Sequence, residues 1–552
     1  MRIARSVVCA AAAVVAATLI TGLSACTVGP RYARPAVPLA AGYRESSAAA
    51  YRGATPGTWR PAQPADERLK GAWWRMFGEP ELDVLEQQLD IDNQNIAEYF
   101  QDFMAARAEV REAVAGELPT LSLAPSYSRS RQPSAFAAAP AGGAGGAGGA
   151  GGAAPGSASS AGASSLSIVS LPLDVSWEPD LWGRVRNEVR EYRYAAQVSA
   201  ADLQNERLSE QADLAEVYFE LRGQDALQDL YDRTVAADRQ TLQLTQGRYQ
   251  SGLDTGEDVA QARVALANAE AAAEGVGVDR ALYEHAIATL IGRSASSFSM
   301  PVRGLATPVP AIPVGVPSDL LQRRPDVAAA ERSMAQANAL IGVQTSAFYP
   351  TLDLTGASGF ESTVLSRLVS APAWFWSLGA GASETLFEGG LRRATLSQYR
   401  AMYQADVAAY RQTVLTAVQQ VEDQIASLRI LSGQSARQDL AVRAAQQYYD
   451  IALGRYQTGV DPYLDVLTAQ TTLLTDQQAA LGDRVSELLA AVGLIQALGG
   501  GWETSRLPAA SAVDSAAAAR QLEPGSSGAP GSSRAPGSSS APGSSSVTLT
   551  GQ

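Results

Sequence analysis

Gly454-Arg455-Tyr456-Gln457-Thr458-Gly459-Val460-Asp461-Pro462-Tyr463-Leu464-Asp465-Val466-Leu467 is the more informative of two related stretches in this chain. The other, Gly247-Arg248-Tyr249-Gln250-Ser251-Gly252-Leu253-Asp254-Thr255-Gly256-Glu257-Asp258-Val259, lies 207 residues upstream. Both copies place an Arg-Tyr pair before a glycine turn, and an acidic residue then opens a segment rich in Ala, Leu and Gln. This repeat is too long for a solenoid unit. It predicts two related halves, each containing a helical hairpin whose turn is the quoted motif.

The hairpin arms carry a seven-residue apolar period. After the second turn, a leucine or isoleucine recurs every seven residues at Leu467, Leu474, Leu481, Leu488 and Ile495. Before it, the same spacing connects Val407, Val414, Val421 and Leu428. A sustained heptad predicts long helices that pack as coiled coils. Helices of this length, at about 1.5 Å per residue, predict an elongated molecule.

The N-terminus has the pattern of a secretory signal. Arg2 and Arg5 precede an apolar run from Val7 to Ile20, and Leu23-Ser24-Ala25-Cys26 places small residues before a cysteine. This favours a bacterial lipoprotein acylated on Cys26, over an ordinary signal peptide with an incidental cysteine. Thr27 follows instead of the aspartate that retains such proteins in the inner membrane, so the outer membrane is favoured.

Composition argues against several classes of function. The formal net charge is −13, which disfavours nucleic acid as a partner. The only cysteine besides Cys26 is Cys9 in the signal, and His285 is the only histidine. A lone imidazole makes no metal site. The sequence therefore predicts no enzyme, no metal and no cofactor apart from the covalent lipid.

Each half also contains two stretches with alternating polarity. In the first half they are residues 117–123 and 170–177, and in the second half residues 348–355 and 376–383. In Thr351-Leu352-Asp353-Leu354-Thr355, for example, the leucines face one side and the polar residues the other. Such strands beside aromatic residues are typical of a membrane β-barrel, although a soluble hairpin with one buried face has the same alternation.

The rest of the chain reads as helices, a loop insertion and a tail. Helices are predicted from Pro80 to about Gly116, from Gly183 to about Arg222, and from there to the first Arg-Tyr turn. The Ala-Gly-Gly run at 141–162 is predicted to be a flexible insertion in the first strand hairpin. The predicted divisions are a signal peptide 1–25, an N-terminal strap 26–70, a first repeat 71–292, a linker 293–316, a second repeat 317–501 and a disordered tail 502–552.

Taken together, these motifs resemble the TolC-like outer-membrane efflux factors, in the lipoprotein branch typified by OprM and called the NodT family. The resemblance rests on Cys26-Thr27-Val28-Gly29-Pro30-Arg31-Tyr32, on Trp73-Trp74-Arg75-Met76-Phe77-Gly78, on Arg323-Arg324-Pro325-Asp326 and on the duplicated turns. It implies a mainly α fold and a homotrimer in the outer membrane. Four strands per protomer would form one twelve-stranded barrel, which long coiled-coil helices would continue as a periplasmic α-barrel.

The resemblance also implies a function. The protein would be a passive exit duct for drugs and small molecules delivered by an inner-membrane RND-type pump through a periplasmic adaptor. In the family, acidic residues after the Arg-Tyr turn form rings at a periplasmic gate. Asp465 matches the first acidic position, whereas Thr468 stands where some relatives have a second Asp. The implied gate residues are Arg455, Tyr456, Asp461 and Asp465, with first-repeat counterparts Arg248, Tyr249 and Asp258.

Alternatives remain open at this point. Asp258 and Asp465 could each be a helix N-terminal acid that stabilises the helix dipole; we favour that role for Asp258 and the gate for Asp465. Asp461 could pair with Arg455 or with a neighbouring protomer. For the whole chain, the alternatives are a type I protein-secretion duct of the same fold and a periplasmic coiled-coil scaffold lipoprotein without a pore.

Overall fold

A computed structural model of the chain describes residues 27–37, 39–45, 71–131, 165–315 and 317–525. The predicted signal peptide, Cys26, the 141–162 insertion, and the tail from residue 526 onward lie outside the described residues. The chain divides into two compact units. Of the described residues, the first unit comprises those within 1–34, 107–195 and 333–408, and the second comprises those within 35–106, 196–332 and 409–552.

The first unit contains one antiparallel sheet. Its strands are β1 (Thr120–Leu123), β2 (Ser126–Arg131), β3 (Ser165–Trp177), β4 (Thr351–Ser362) and β5 (Trp374–Ser383). β1 and β2 both pair with β3, β3 pairs with β4, and β4 pairs with β5. The four predicted strands are therefore confirmed, with the first split in two. The split falls at residues 124–125, opposite residues 171–172 of β3, and neither Pro125 nor Pro172 has an N–H to donate.

The two faces of this sheet differ sharply in polarity. Leu121, Val175 and Leu378 lie in one row across the strands and are exposed, Leu378 to 81%. Ser122, Asp174 and Ser377 lie in the adjacent row and face the other side. Directly opposite residues share a face, so this apolar row projects from one side of the sheet and the polar row from the other. In the described protomer, the outer edges of β1–β2 and of β5 pair with no further strand.

The remaining regular elements are helices, and the long helices of the second repeat lie 207 residues after their counterparts in the first. They are α1 (Pro80–Asp92), α2 (Gln94–Ala115), α3 (Arg184–Gln250), α4 (Gly256–Leu290), α5 (Leu320–Arg323), α6 (Pro325–Ser346), α7 (Leu391–Gln457), α8 (Tyr463–Ala497) and α9 (Ala516–Leu522). α3 and α7 each have 67 residues, and α4 and α8 each have 35. The predicted duplication of a helical hairpin is thus confirmed. Within the described ranges, no helix is long and apolar enough to cross a membrane.

Two predicted helix boundaries were wrong. The helix from Pro80 breaks at Asn93, whose backbone is extended and whose side-chain oxygen accepts from the Ile96 N–H at 2.9 Å. An asparagine in this position caps a new helix. Conversely, no break occurs near Arg222, since α3 runs unbroken to the turn.

The Trp-Trp block forms part of the core of the second unit. Trp73 and Phe77 are fully buried, and the Phe77 ring lies 4.9 Å from the Phe219 ring of α3. The Trp74 indole N–H donates to Asp83 of α1 at 2.9 Å. These contacts explain the aromatic cluster as packing.

The predicted tail begins too early. Residues 502–525 are folded: Trp502, Val513 and Leu522 are buried, and α9 begins at a Ser515 cap. The Gln197 side chain of α3 also donates to the Pro508 carbonyl at 2.6 Å. The apolar residues that form this packing are spaced too irregularly for a heptad. The predicted boundary relied on the low-complexity composition alone and was therefore incorrect.

Candidate functional site at the hairpin tips

Both hairpin turns close with the same backbone geometry in the second unit. At the first, Gly252 has φ 74°, its N–H donates to the Tyr249 carbonyl, and the Leu253 N–H donates to the Arg248 carbonyl at 2.9 Å. At the second, Gly459 has φ 78°, and the equivalent donors reach Tyr456 and Arg455. This is a Schellman motif, which requires a left-handed residue that glycine provides without strain. The duplicated glycines are therefore explained.

Each turn also holds an arginine–aspartate ion pair six residues apart. Arg248 Nε lies 3.0 Å from Asp254 Oδ2, and both side chains are largely buried. Arg455 binds Asp461 with two hydrogen bonds, one of them 2.9 Å long, but the Arg455 side chain is half exposed. The Arg455 guanidinium holds the pKa of the Asp461 carboxyl below its usual range through this hydrogen bond. Of the alternatives for Asp461, the structure contains the pair with Arg455.

Tyr456 connects the two hairpins. It is 1% exposed, its hydroxyl donates to the Asp254 carboxylate, and its oxygen lies 2.9 Å from the Thr245 hydroxyl oxygen. The Arg248 guanidinium lies 4.8 Å from the centre of the Tyr456 ring and donates to the Gln457 carbonyl at 3.3 Å. We call Thr245, Arg248, Asp254, Tyr456 and Gln457 the tip network. Burial, followed by the hydrogen bond to Asp254, raises the pKa of Tyr456 to about 12.

The two predicted acidic residues, Asp258 and Asp465, have different surroundings. Asp258 forms a capping box with Thr255, in which its carboxylate accepts the Thr255 N–H at 2.9 Å, as expected for the helix-terminal role. Asp465 lies in the first turn of α8, and after the larger effect of Asp461 its charge also raises the pKa of Arg455. Tyr249, the counterpart of Tyr456, is 52% exposed.

Sequence reasoning missed Asp254 and Thr245. The 207-residue offset maps Asp461 onto Asp254, so that signal was available for the aspartate. No such signal existed for Thr245, because its counterpart in the second repeat is the buried Ala452. The contact between Thr245 and Tyr456 exists only because α3 and α7 pack together.

Away from the tip network, a second polar contact joins the two hairpins. Tyr456, Tyr463, Val466 and Ala262 form a buried cluster, with the two tyrosine rings 5.7 Å apart. The Gln470 amide of α8 donates to the Asp238 carboxylate of α3 at 2.6 Å, and both side chains are buried. Burial raises the pKa of Asp238, although the bond from Gln470 opposes the shift. The described residues contain no group of three or more His, Cys, Asp or Glu placed to hold a metal ion.

Comparison with known proteins gives consistent matches. The family described as outer membrane efflux protein matches residues 85–293 and 316–500. The probable efflux pump outer membrane protein TtgC of Pseudomonas putida is 30% identical over 490 residues, which cover 87% of this chain and 93% of TtgC. OprJ of Pseudomonas aeruginosa is 29% identical and covers 88% of this chain, which in turn spans 95% of OprJ.

Solved structures agree with this fold. The outer-membrane channel OprN superposes with a TM-score of 0.75 at 26% identity, over 86% of this chain and 100% of that one. The Campylobacter jejuni outer-membrane channel CmeC gives 0.74 at 21% identity, over 88% and 97% of the two chains. The fold therefore combines the long helices and the β-sheet in the manner of TolC-like channels.

Proposed function

This chain belongs to the outer membrane efflux protein family, and we propose that it is the passive exit duct of a tripartite efflux system in the bacterial outer membrane. The observation that carries the proposal is the two-faced sheet with its two unpaired edges. An exposed apolar face next to a polar face is unfavourable in water but fits a wall between lipid and an aqueous lumen. The relatives are efflux pump components, so we assign no catalysis to the chain.

We further propose that three copies form the duct. Four strand positions cannot enclose a lumen, because about eight strands are already filled by their own side chains. Twelve strands from three copies would close the edges and leave an interior space. Closure would also hide the main-chain groups that no lipid can satisfy.

The helices of the second unit favour the same assembly. One side of α4 carries a heptad seam of exposed residues that are small or apolar apart from one asparagine. One side of α7 carries a second seam, of exposed apolar residues interrupted by Arg437 and Gln447. The α4 seam is Val264, Asn268, Ala271, Gly275, Val278 and Leu282, and the α7 seam includes Ile430, Leu440, Ala444 and Ile451. A seam of this type is normally covered by a partner helix, and a single asparagine within it fixes the register. A neighbouring copy that places its α7 against this α4 would cover both seams.

We infer that the remaining partners are a periplasmic adaptor and an inner-membrane pump of the RND type, with cargo of small organic molecules. The support is that similar P. putida proteins are described as toluene and antibiotic efflux components. A lipid on Cys26 would anchor each copy in the outer membrane.

Three measurements test the duct. The purified lipoprotein should migrate as a heat-sensitive trimer and should give discrete conductance steps in planar bilayers. In cells that lack their own outer-membrane efflux channels, the protein and its cognate pump should lower drug accumulation. A monomer that never makes bilayers conduct would refute both the trimer and the duct.

We also propose that Asp465 contributes to the gate. Three carboxylates around one axis would repel each other and attract cations, so charge removal there should change conductance and its cation dependence. Asp465→Asn is the test, and Asp258→Asn is the matched control because Asp258 caps α4. Equal conductance in wild type and Asp465→Asn would remove Asp465 from the gate and leave the duct intact.

A further inference from the structure

A polar cavity of about 360 Å³ lies within the second unit, between α3, α7 and α8. The segment Arg324-Pro325-Asp326 at the start of α6 contributes to its wall. One water molecule takes up about 30 Å³, so the cavity has room for a small organic molecule. Six of the lining side chains are amides, a hydroxyl or a carboxylate with no backbone role in the wall: Asn205, Ser209, Glu216, Gln420, Gln424 and Gln496.

These six side chains differ from other polar residues on the same helices. Within the described part of the chain, none of the six takes part in a hydrogen bond or an ion pair. Elsewhere, Gln434 of α7 donates to Asp483 of α8 at 2.6 Å, and Gln478 of α8 donates to the Tyr231 hydroxyl of α3 at 2.7 Å. Free donors and acceptors that surround one space are the pattern of a site for a polar ligand.

The cavity contains one carboxylate without a counter-ion. Arg324 donates to both carboxylate oxygens of Asp326, at 3.0 and 2.6 Å, and to the Ala497 carbonyl at 2.8 Å. That pair is therefore neutral. Glu216 has no such partner, and burial, followed by the charges of two other carboxylates on α3, raises the pKa of its carboxyl. A cation beside Glu216 would compensate this charge, whereas an anion would be repelled by it.

The space beside Gln424 depends on a glycine of α8. A Cβ on Gly493 would lie 3.0 Å from the Gln424 side-chain amide, which is closer than ordinary van der Waals contact. The missing side chain lets this amide lie against α8 at the wall of the cavity. A large residue at position 493 would displace Gln424 and occupy part of the space.

We propose that this cavity binds a small organic cation that carries several N–H donors, of the guanidinium or alkylammonium class. Glu216 supplies the opposite charge, and the side-chain oxygens of the glutamines and of Asn205 accept the remaining N–H groups. A guanidinium group has up to five donors in a fixed plane, so it needs several acceptors around it, as this cavity provides. The site uses residues of a single copy and goes beyond the role of an exit duct.

Binding of agmatine, which carries one guanidinium and one ammonium group, tests the proposal. Equilibrium dialysis of the full-length protein in a non-ionic detergent should show one saturable site per chain. Glu216→Gln keeps the shape of the side chain but removes its charge, so it should weaken binding about tenfold or more, as expected for a hydrogen bond to a charged group. The matched control is Glu274→Gln, which removes the same charge from an exposed residue of α4 and should bind like wild type.

A second pair of variants tests the space and not the charge. Gly493→Leu should also weaken binding, whereas Gly482→Leu should not, because a Cβ on that glycine of α8 meets nothing within 4 Å. Glu216→Gln adds no volume, so it decides the question even if Gly493→Leu fails to assemble. Tetraethylammonium has the charge but no N–H donor and should compete poorly.

Three results would overturn the cavity as a cation site. They are the absence of a saturable site in the wild type, equal binding by Glu216→Gln, and full competition by tetraethylammonium. None of them bears on the proposed duct, because conductance and trimer migration are measured without agmatine. Loss of the duct would likewise leave a result on agmatine binding unchanged.

Discussion

Tyr456→Phe should open the hairpin tip while leaving its packing intact. The phenyl ring keeps the volume of the buried site and its contact with Arg248, so the substitution removes only the hydroxyl that donates to Asp254. A hydrogen bond to a charged group contributes about 1.5–3 kcal/mol. Asp254 keeps its ion pair with Arg248, so the lower end, about 1.5 kcal/mol, applies here. The open fraction should rise about tenfold, since about 1.4 kcal/mol corresponds to a factor of ten.

The assay is single-channel recording of the purified protein in planar bilayers, with open probability as the readout. Tyr249→Phe is the matched control, because Tyr249 occupies the equivalent position in the first repeat and is 52% exposed. Its open probability should equal that of the wild type. Thermal unfolding of the two variants should show that both assemble normally. If both tyrosine variants behave alike, the tip network does not control opening.

Three further outcomes are expected. Neutral Tyr456 stabilises the closed tip below pH 10, and this contribution is lost as pH rises toward 12. The open probability of the wild type should therefore increase between about pH 10 and pH 12, whereas that of Tyr456→Phe should not. Asp461→Asn breaks an exposed pair with Arg455 and should leave the Tm nearly unchanged, which a clear drop in Tm would contradict. Gln470→Leu leaves Asp238 buried without its donor and should cost about 1–3 kcal/mol in denaturant unfolding, while adding Asp238→Asn should recover part of it.

The hairpin turns and the helices beside them could be predicted because several local signals agree, although the predicted break of α3 near Arg222 was wrong. Each turn has a glycine where the backbone needs positive φ, and both arms of the second hairpin carry an apolar heptad. These signals depend on neighbours in sequence, so they survive duplication and give both hairpins the same bounds. The strands were predictable for the same reason, since alternation is a local pattern. The helix break at Asn93 and the fold of residues 502–525 were not predicted, because a single capping side chain and irregular apolar packing leave no periodic pattern in the sequence.

The candidate site was less predictable, because its function depends on which copy of each residue is buried. Tyr249 and Tyr456 have nearly identical sequence surroundings, yet only Tyr456 enters the seam between the hairpins. That difference arises from tertiary contacts, in which Thr245 provides a hydroxyl where the other repeat has Ala452. A repeat therefore identifies the residues that can form a network, and the packing of the two repeats decides which of them do.

For the proposed gate, this asymmetry predicts where the free energy of opening resides. The bond between Arg455 and Asp461 lies within one turn, so it moves with the second hairpin and does not resist a displacement. The contacts of Tyr456 with Asp254 and of Arg248 with Gln457 join different hairpins, and they must break when the hairpins separate. The contact between Asp238 and Gln470 lies further along the same seam and must break only if the separation extends beyond the tip. A limited opening therefore breaks only the contacts of the tip network, whereas a wide opening also exposes Asp238 to water. Because water favours the ionised carboxylate that burial disfavours, wide opening should become easier as pH rises above the usual pKa of an aspartate.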